Sequence, residues 1–354
     1  MSSNLSKTGN SEELWEEIIS TGATQILSAA YRGLLGREAD PGGLKSYVET
    51  LKASKDLARV LCSIVSSREF ARNYYTQVSN KPCLVFLHIQ KTAGTSIQNH
   101  LVECFKRGEL YKEHTDSLSR HSPLELLRYE AFAGHFNYDS LKHIPRTKLS
   151  IFTFVRDPKN RLVSLYHFWR AHQPWHKSFH PGMEIANTKM MEEFFEDERI
   201  RKNPSVWNHM AQMIMGQRLY REWRTALTSR KGFEASRHLM EETIRPAIIR
   251  RLKEFLFVGI QEDFTSSVRM LFSILEKKPP PMVRKDHTLD LLMNSDCNFK
   301  KQMDRQPLTP RVDAALDGLV ELDNIVYEES VSLYREKTAE SEAGTSMGEF
   351  TEAR

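Results

Sequence analysis

Residues 83–105 read CLVFLHIQKTAGTSIQNHLVECF. Cys83–His88 is a short apolar run of the kind that forms a buried strand. The loop IQKTAGTS follows, and then Ile97, Leu101, Val102 and Phe105 recur at helical spacing from a start near Thr95. Strand, small-residue loop and helix together place unpaired backbone N–H groups and the positive end of a helix dipole at one point, which suits an anion. Lys91, Thr92, Ala93, Gly94, Thr95 and Ser96 are the candidate anion contacts. The bland alternative is a plain strand-turn-helix connection in which Gly94 only turns the chain. The lysine stands at the start of the loop, whereas the nucleotide-hydrolysing P-loop needs GxxxxGK followed by Ser or Thr. That pattern is absent, which disfavours the magnesium-triphosphate geometry of a P-loop kinase.

A second stretch, IFTFVRDPKNRLVSLYHFWR (residues 151–170), sets a buried strand before a helix. Arg156 falls at the strand's carboxyl end. Asp157 is placed to N-cap the helix, with Pro158 in its first turn. Leu162, Leu165, Tyr166 and Trp169 form the packed face, and Ser164 lies two turns in. Arg156 supplies a forked donor and Ser164 a hydroxyl to a common anion. Arg161 reads as an exposed cation or a secondary phosphate contact.

Working outward, β-type runs at Cys83–His88, Ala131–His135, Leu149–Val155 and Phe255–Gly259 alternate with helical stretches. That alternation predicts an α/β fold, P-loop-like, with a mainly parallel sheet flanked by helices. Thr309 and Pro310 open a final helix carrying Leu316, Leu319, Leu322 and Leu333. On the N-terminal side three helical stripes, around Leu27–Leu34, Leu44–Leu51 and Leu57–Ile64, are able to bury one another as a small all-α domain. Gly36 ends the first helix, and Asp40 with Pro41 opens the second. The expected divisions are a flexible N-terminus (1–19), a helical bundle (20–77), an α/β domain (81–338) and a disordered tail (339–354).

The 354 residues carry a net charge of +4, with 27% charged and 40% hydrophobic residues. This is an ordinary soluble composition, suited to an anionic ligand and too mild to argue for nucleic acid. Four cysteines without a close pair disfavour a zinc site and fit a reducing compartment. The turn READPGG holds too few oxygen ligands for an EF-hand. The absence of a secretory h-region and of a membrane-length apolar run leads to the expectation of a cytoplasmic protein; peripheral membrane association and oligomeric state stay open.

The two motifs, in this order, resemble the sulfotransferases that use 3′-phosphoadenosine 5′-phosphosulfate (PAPS). FLHIQKTAGTS is similar to the 5′-phosphosulfate loop of the heparan-sulfate 6-O branch, related to the 2-O branch. VRDPKNRLVSLY is similar to the family's 3′-phosphate motif, with its Arg and Ser at Arg156 and Ser164. FLFVGIQEDFTSSVRML and LTPRVDAALDGLVELDNIVYEES extend the likeness over most of residues 81–336. YRGLLGREADPGGLKSYVETL resembles a bacterial helical domain of unknown function found beside glycan-modifying enzymes. The resemblance implies PAPS as donor, PAP (3′-phosphoadenosine 5′-phosphate) as product, no metal, and a hydroxyl of a saccharide or glycoconjugate as acceptor. A P-loop phosphotransferase and a non-catalytic glycan- or nucleotide-binding module are the competing readings.

Sulfuryl transfer needs a base for the acceptor proton and a cation for the departing phosphate. Lys91 is the expected cation. His135, in AFAGHFNYDSL, is the expected base, because it follows a strand at the edge where α/β ligands gather and its position resembles the catalytic histidine segment of the heparan 6-O branch. His88 is expected to support the loop. The segment YHFWRAHQPWHKSFH offers Trp169, Arg170, His172, Trp175 and Lys177 as an acceptor edge, aromatic for sugar rings and basic for acidic ones.

Overall fold

In a computed structural model of the chain, the apolar runs become strands of one parallel sheet. The described residues are 22–70, 72–73, 83–175, 180–228, 232–280, 282–283 and 288–349. The expected flexible segment 1–19, Lys177 with its neighbour His176, and residues 350–354 lie outside them. The chain divides into two compact units.

The first unit is a helical bundle. Helices α1 (Ala23–Ala30), α2 (Pro41–Ser54) and α3 (Leu57–Val65) bury Leu27, Tyr31, Leu51, Val60 and Ile64 against one another. A π-helical turn, Tyr31–Leu35, extends α1 and stops at Gly36, whose φ of +69° is the left-handed cap expected there. The Asp40 carboxylate accepts from the Gly43 N–H at 2.6 Å, and Pro41 occupies the first turn of α2. Two later segments, Ser119–Arg128 and His143–Lys148, belong to this same unit. Arg68 bonds the His143 ring at 2.8 Å within it.

The second unit carries the sheet, with strands β1 (Cys83–Leu87), β2 (Leu110–Glu113), β3 (Ala131–Gly134), β4 (Leu149–Val155) and β5 (Phe257–Ile260). Their order is β2-β3-β1-β4-β5, and every pairing is parallel. All five residues of β1 are buried, as a central strand covered on both faces requires. From β1 the chain runs out to β2 and back to β3 on one side; β4 and β5 lie on the other. Neighbours β1 and β4 thus send the chain in opposite directions, and the crevice outside their carboxyl ends is where open α/β sheets bind ligands.

Helix α4 (Gly94–Val102) follows β1, and α5 (Pro158–Ala171) follows β4. Helix α6 (His209–Thr228) is broken by Gly216, at φ +78° and ψ +164°. The expected final helix is two, α7 (Pro310–Asp317) and α8 (Glu321–Glu349), separated by a turn at Gly318. Helix α8 runs through Glu349, into the stretch read as a disordered tail. No described helix is long and apolar enough to cross a membrane.

Candidate active site

Four strand ends meet at one edge of the sheet. His88 follows β1, His135 follows β3, Arg156 follows β4 and Gln261 follows β5. The loop after β1 is held in an unusual conformation. Lys91 and Ala93 both have positive φ, +67° and +65°, although neither is glycine. Left-handed backbone at non-glycine residues costs of order 1–3 kcal/mol each and gathers at ligand-clamping sites. Gly94 is needed for space: a Cβ there would lie 1.9 Å from the His88 ring. The Thr92 hydroxyl is buried and donates to the Ile89 carbonyl at 2.8 Å, so it braces the loop from within. Ala93 gives α4 no side-chain cap, which leaves the N–H groups of Gly94 and Thr95 without a side-chain acceptor, while the Ser96 N–H turns back to the Ala93 carbonyl at 3.1 Å.

A cavity of about 550 Å³ opens at this edge. Lys91, Ala93 and Ser96 line it from the first motif, Arg156 and Ser164 from the second. Thr92, Gly94 and Thr95 shape the loop and the start of α4 without lining the cavity. The Lys91 ammonium sits 3.8 Å from the Phe168 ring centroid. Burial, and then the nearby Arg156 charge, lower its pKa to about 7. Arg156 donates to the Lys91 carbonyl at 3.4 Å, and its Nε is buried without a hydrogen-bond partner. Burial also lowers the Arg156 pKa, against the pull of Glu262 and Asp157. Two desolvated cations side by side, one with an orphaned donor, form a site that an anion would complete.

Asp157 acts as expected: its carboxylate accepts from Asn160 N–H at 2.8 Å at the start of α5. Arg161 does not act as expected. It is fully buried, donates to the carbonyls of Ser205 and Val206, and stands 3.6 Å from the equally buried Asp323 on α8. It is a core ion pair, not a surface cation or phosphate contact.

Sequence reasoning missed part of the wall. Asn160, Val163 and His167 line the cavity together with Ser164. These positions are i, i+3, i+4 and i+7, so the helical stripe through Ser164 carries the signal. Gln261, Thr288–Asp290 and Arg305–Gln306 complete the lining, with Arg305 bonded to Asp290 at 2.6 Å. Gln261 lies within FLFVGIQEDFTSSVRML without being singled out there, and no motif marks the others, which come from distant parts of the chain.

His135 does not line this cavity. It is joined to the loop through His88, whose ring stacks on it at 4.1 Å between centroids. His135 Nδ1 lies 2.7 Å from the His88 carbonyl. A carbonyl only accepts, so Nδ1 carries the hydrogen and Nε2 keeps its lone pair. Burial lowers the His135 pKa below 6.5; the bond to His88 opposes this and His114 adds to it. The ring is therefore neutral at neutral pH, with one basic nitrogen available.

The expected acceptor edge is largely structural. Trp169 is 4% exposed and packs among Phe194, His180 and Tyr166. Arg170 Nη1 donates to the Tyr166 hydroxyl and the carbonyls of Ala186 and Lys189. His172 is buried, bonded to the Phe168 carbonyl and packed on Phe299. The fold takes up Arg170 Nη1, and neither Trp169 nor His172 offers a free face to a sugar. Trp175 does, at 70% exposure.

The Sulfotransferase family matches residues 74–286, well over half of the chain. The chain belongs to the sulfotransferase family. Residues 6–74 match a domain of unknown function (DUF4214). No curated protein matches the chain. The parallel sheet with flanking helices is the architecture expected of an α/β sulfotransferase, and the family assignment supports sulfuryl transfer as its chemistry.

Proposed function

We propose that this sulfotransferase moves a sulfuryl group from PAPS to a hydroxyl of a saccharide or glycoconjugate, as the likeness to the heparan-sulfate branch implies. The observation that carries the reading is the buried pair Lys91 and Arg156, with the Arg156 Nε unpaired, converging with Ser164 on a cavity at the sheet's switch point. Arg156 and Ser164 hold the 3′-phosphate; Lys91, Ser96 and the open N-terminus of α4 hold the phosphosulfate. PAPS supplies the sulfuryl group and leaves as PAP. His135 Nε2 takes the acceptor's proton as the new O–S bond forms. Lys91 meets the electron pair released on the phosphate oxygen when the old S–O bond breaks. Trp175 remains as a stacking surface at the acceptor side.

The test is transfer of labelled sulfate from PAPS into a saccharide library, with mass spectrometry of the product. His135→Ala is expected to lower the transfer rate by about 10²–10⁴-fold while leaving PAP affinity intact. Because His135 titrates below 6.5, turnover should rise with pH through that region and level off near neutrality. Magnesium-dependent ATP turnover without PAP binding would overturn the reading in favour of a kinase. Tight PAP binding with no transfer to any acceptor would favour a non-catalytic module.

A further inference from the structure

The loop that carries His135 is clamped by carboxylates that take no part in the proposed chemistry. Two residues beyond His135, Asn137 gives its backbone N–H and its Nδ2 to Asp116 Oδ2, at 3.2 and 2.7 Å. The Ser140 hydroxyl donates to that same oxygen. Between them, Asp139 reaches across to α6. Its Oδ2 accepts from the Arg218 N–H at 3.0 Å. Arg218 is two residues past Gly216, where α6 breaks, so Asp139 caps the second half of that helix from another part of the chain.

The fit at this point is close. A Cβ on Gly216 would lie 2.5 Å from the Asp139 carboxyl carbon, and the residue's φ is in the left-handed region. The break therefore needs glycine for two reasons, backbone freedom and room for the carboxylate. Arg251 ties the other side. Its guanidinium lies 3.9 Å over the Tyr138 ring and donates to the Ile214 carbonyl at 2.9 Å, just before the kink. Residues 137–140 are thus bound to both halves of α6, and Phe136 beside His135 is fully buried.

We propose that Asp139, seated in the kink of α6 at Gly216, is a positioning residue that keeps the His135 ring against the His88 carbonyl and so keeps its Nδ1–H form. This rests on the reading of His135 as the base. With the clamp released, the loop relaxes, the bond to His88 is lost for part of the time, and the proton redistributes to Nε2, the nitrogen that must be basic. Errors of about an ångström in a catalytic group are enough to lower a rate by about 100-fold.

The tautomer is read directly by nitrogen-15 NMR of histidine-labelled protein, with His135→Gln identifying the signal. Wild-type protein is expected to show protonated Nδ1. Asp139→Ala is expected to mix the two tautomers and to lower kcat by about 10- to 100-fold with the KM for PAPS and the Kd for PAP unchanged. Asp139→Asn, whose amide oxygen still accepts from Arg218, should restore both tautomer and rate. Should the alanine variant fail to fold, Asp139→Ser keeps a polar but shorter side chain at the kink and takes its place. A folded Asp139→Ala or Asp139→Ser protein with the wild-type His135 signature would overturn the proposal. Normal turnover by His135→Gln would instead sink the base assignment, and the tautomer measurement would still decide whether Asp139 positions the ring.

Discussion

Arg156 and Arg170 sit at opposite ends of α5, both half-buried. Arg170 has three oxygen acceptors within 3.1 Å on a single nitrogen. Arg156 has one, at 3.4 Å, and a buried Nε with none. The fold saturates one nitrogen of Arg170, whereas it leaves a buried nitrogen of Arg156 unpaired beside a cavity. Buried donors are almost always satisfied, so an unsatisfied one beside a cavity points to what enters it. Aromatic and basic residues crowd the Arg170 end, where Trp169 and His172 are buried within the unit and Arg170 Nη1 is bonded inside it.

The largest effect expected from this contrast is at Trp169. Trp169→Ala should cost about 3–5 kcal/mol of stability, because it empties a core site packed by Phe194, Tyr166 and His180. Denaturant unfolding checks the figure, and calorimetry on the folded protein should return an unchanged Kd for PAP. A stable variant with weakened PAP binding would erase the distinction between the two ends of α5.

Next comes the arginine pair itself. Arg156→Ala should weaken PAP binding by about 1.5–3 kcal/mol, one to two decades in Kd, as a charge-assisted contact is lost. Arg170→Ala should lower the melting temperature and leave the Kd alone. The analogue lacking the 3′-phosphate should bind wild-type protein and Arg156→Ala alike. Equal wild-type affinity for PAP and that analogue would refute the role given to Arg156.

How much of this was legible follows the range of the interactions. The strand-loop-helix at 83–102 and the Asp157 cap of α5 are local, and pattern and cap chemistry find them. Strand β2 was missed. Its four residues, LYKE, alternate too briefly to stand out, and it lies at the sheet's edge, where charge is tolerated. The Arg161–Asp323 pair joins residues far apart in the chain, and nothing near either predicts the partner. The far wall of the cavity, Thr288–Asp290 and Arg305–Gln306, shares that difficulty. Gly216 alone gave no sign of a kink, since its reason is the Asp139 carboxylate folded against it.

Lys91 sharpens the comparison through pH. In the free chain its pKa is lowered from 10.5 to about 7 by burial and by Arg156. Between those values an unfolded chain holds a proton that the folded chain lacks. This group's contribution to stability therefore rises with pH across that window and is lost as pH falls through about 7. A bound anion favours the ammonium form again. PAP binding above neutrality should take up a proton, and affinity should fall by up to about tenfold per pH unit. Calorimetry in buffers of different ionisation enthalpy counts that proton, and Lys91→Met should abolish the uptake. Uptake that persists in Lys91→Met would assign the proton to another group.

The smallest effect belongs to Trp175. At 70% exposure its ring buries little, so Trp175→Ala should change stability by no more than about 0.5 kcal/mol. PAP affinity should also hold, because Trp175 is not part of the cavity lining. An exposed tryptophan offers one thing that Trp169 cannot, a free aromatic face for a sugar ring. The KM for a saccharide acceptor should therefore rise several-fold in Trp175→Ala, with kcat retained. If KM does not move, the exposed ring is a surface residue without a ligand, and acceptor recognition must be sought nearer to His135.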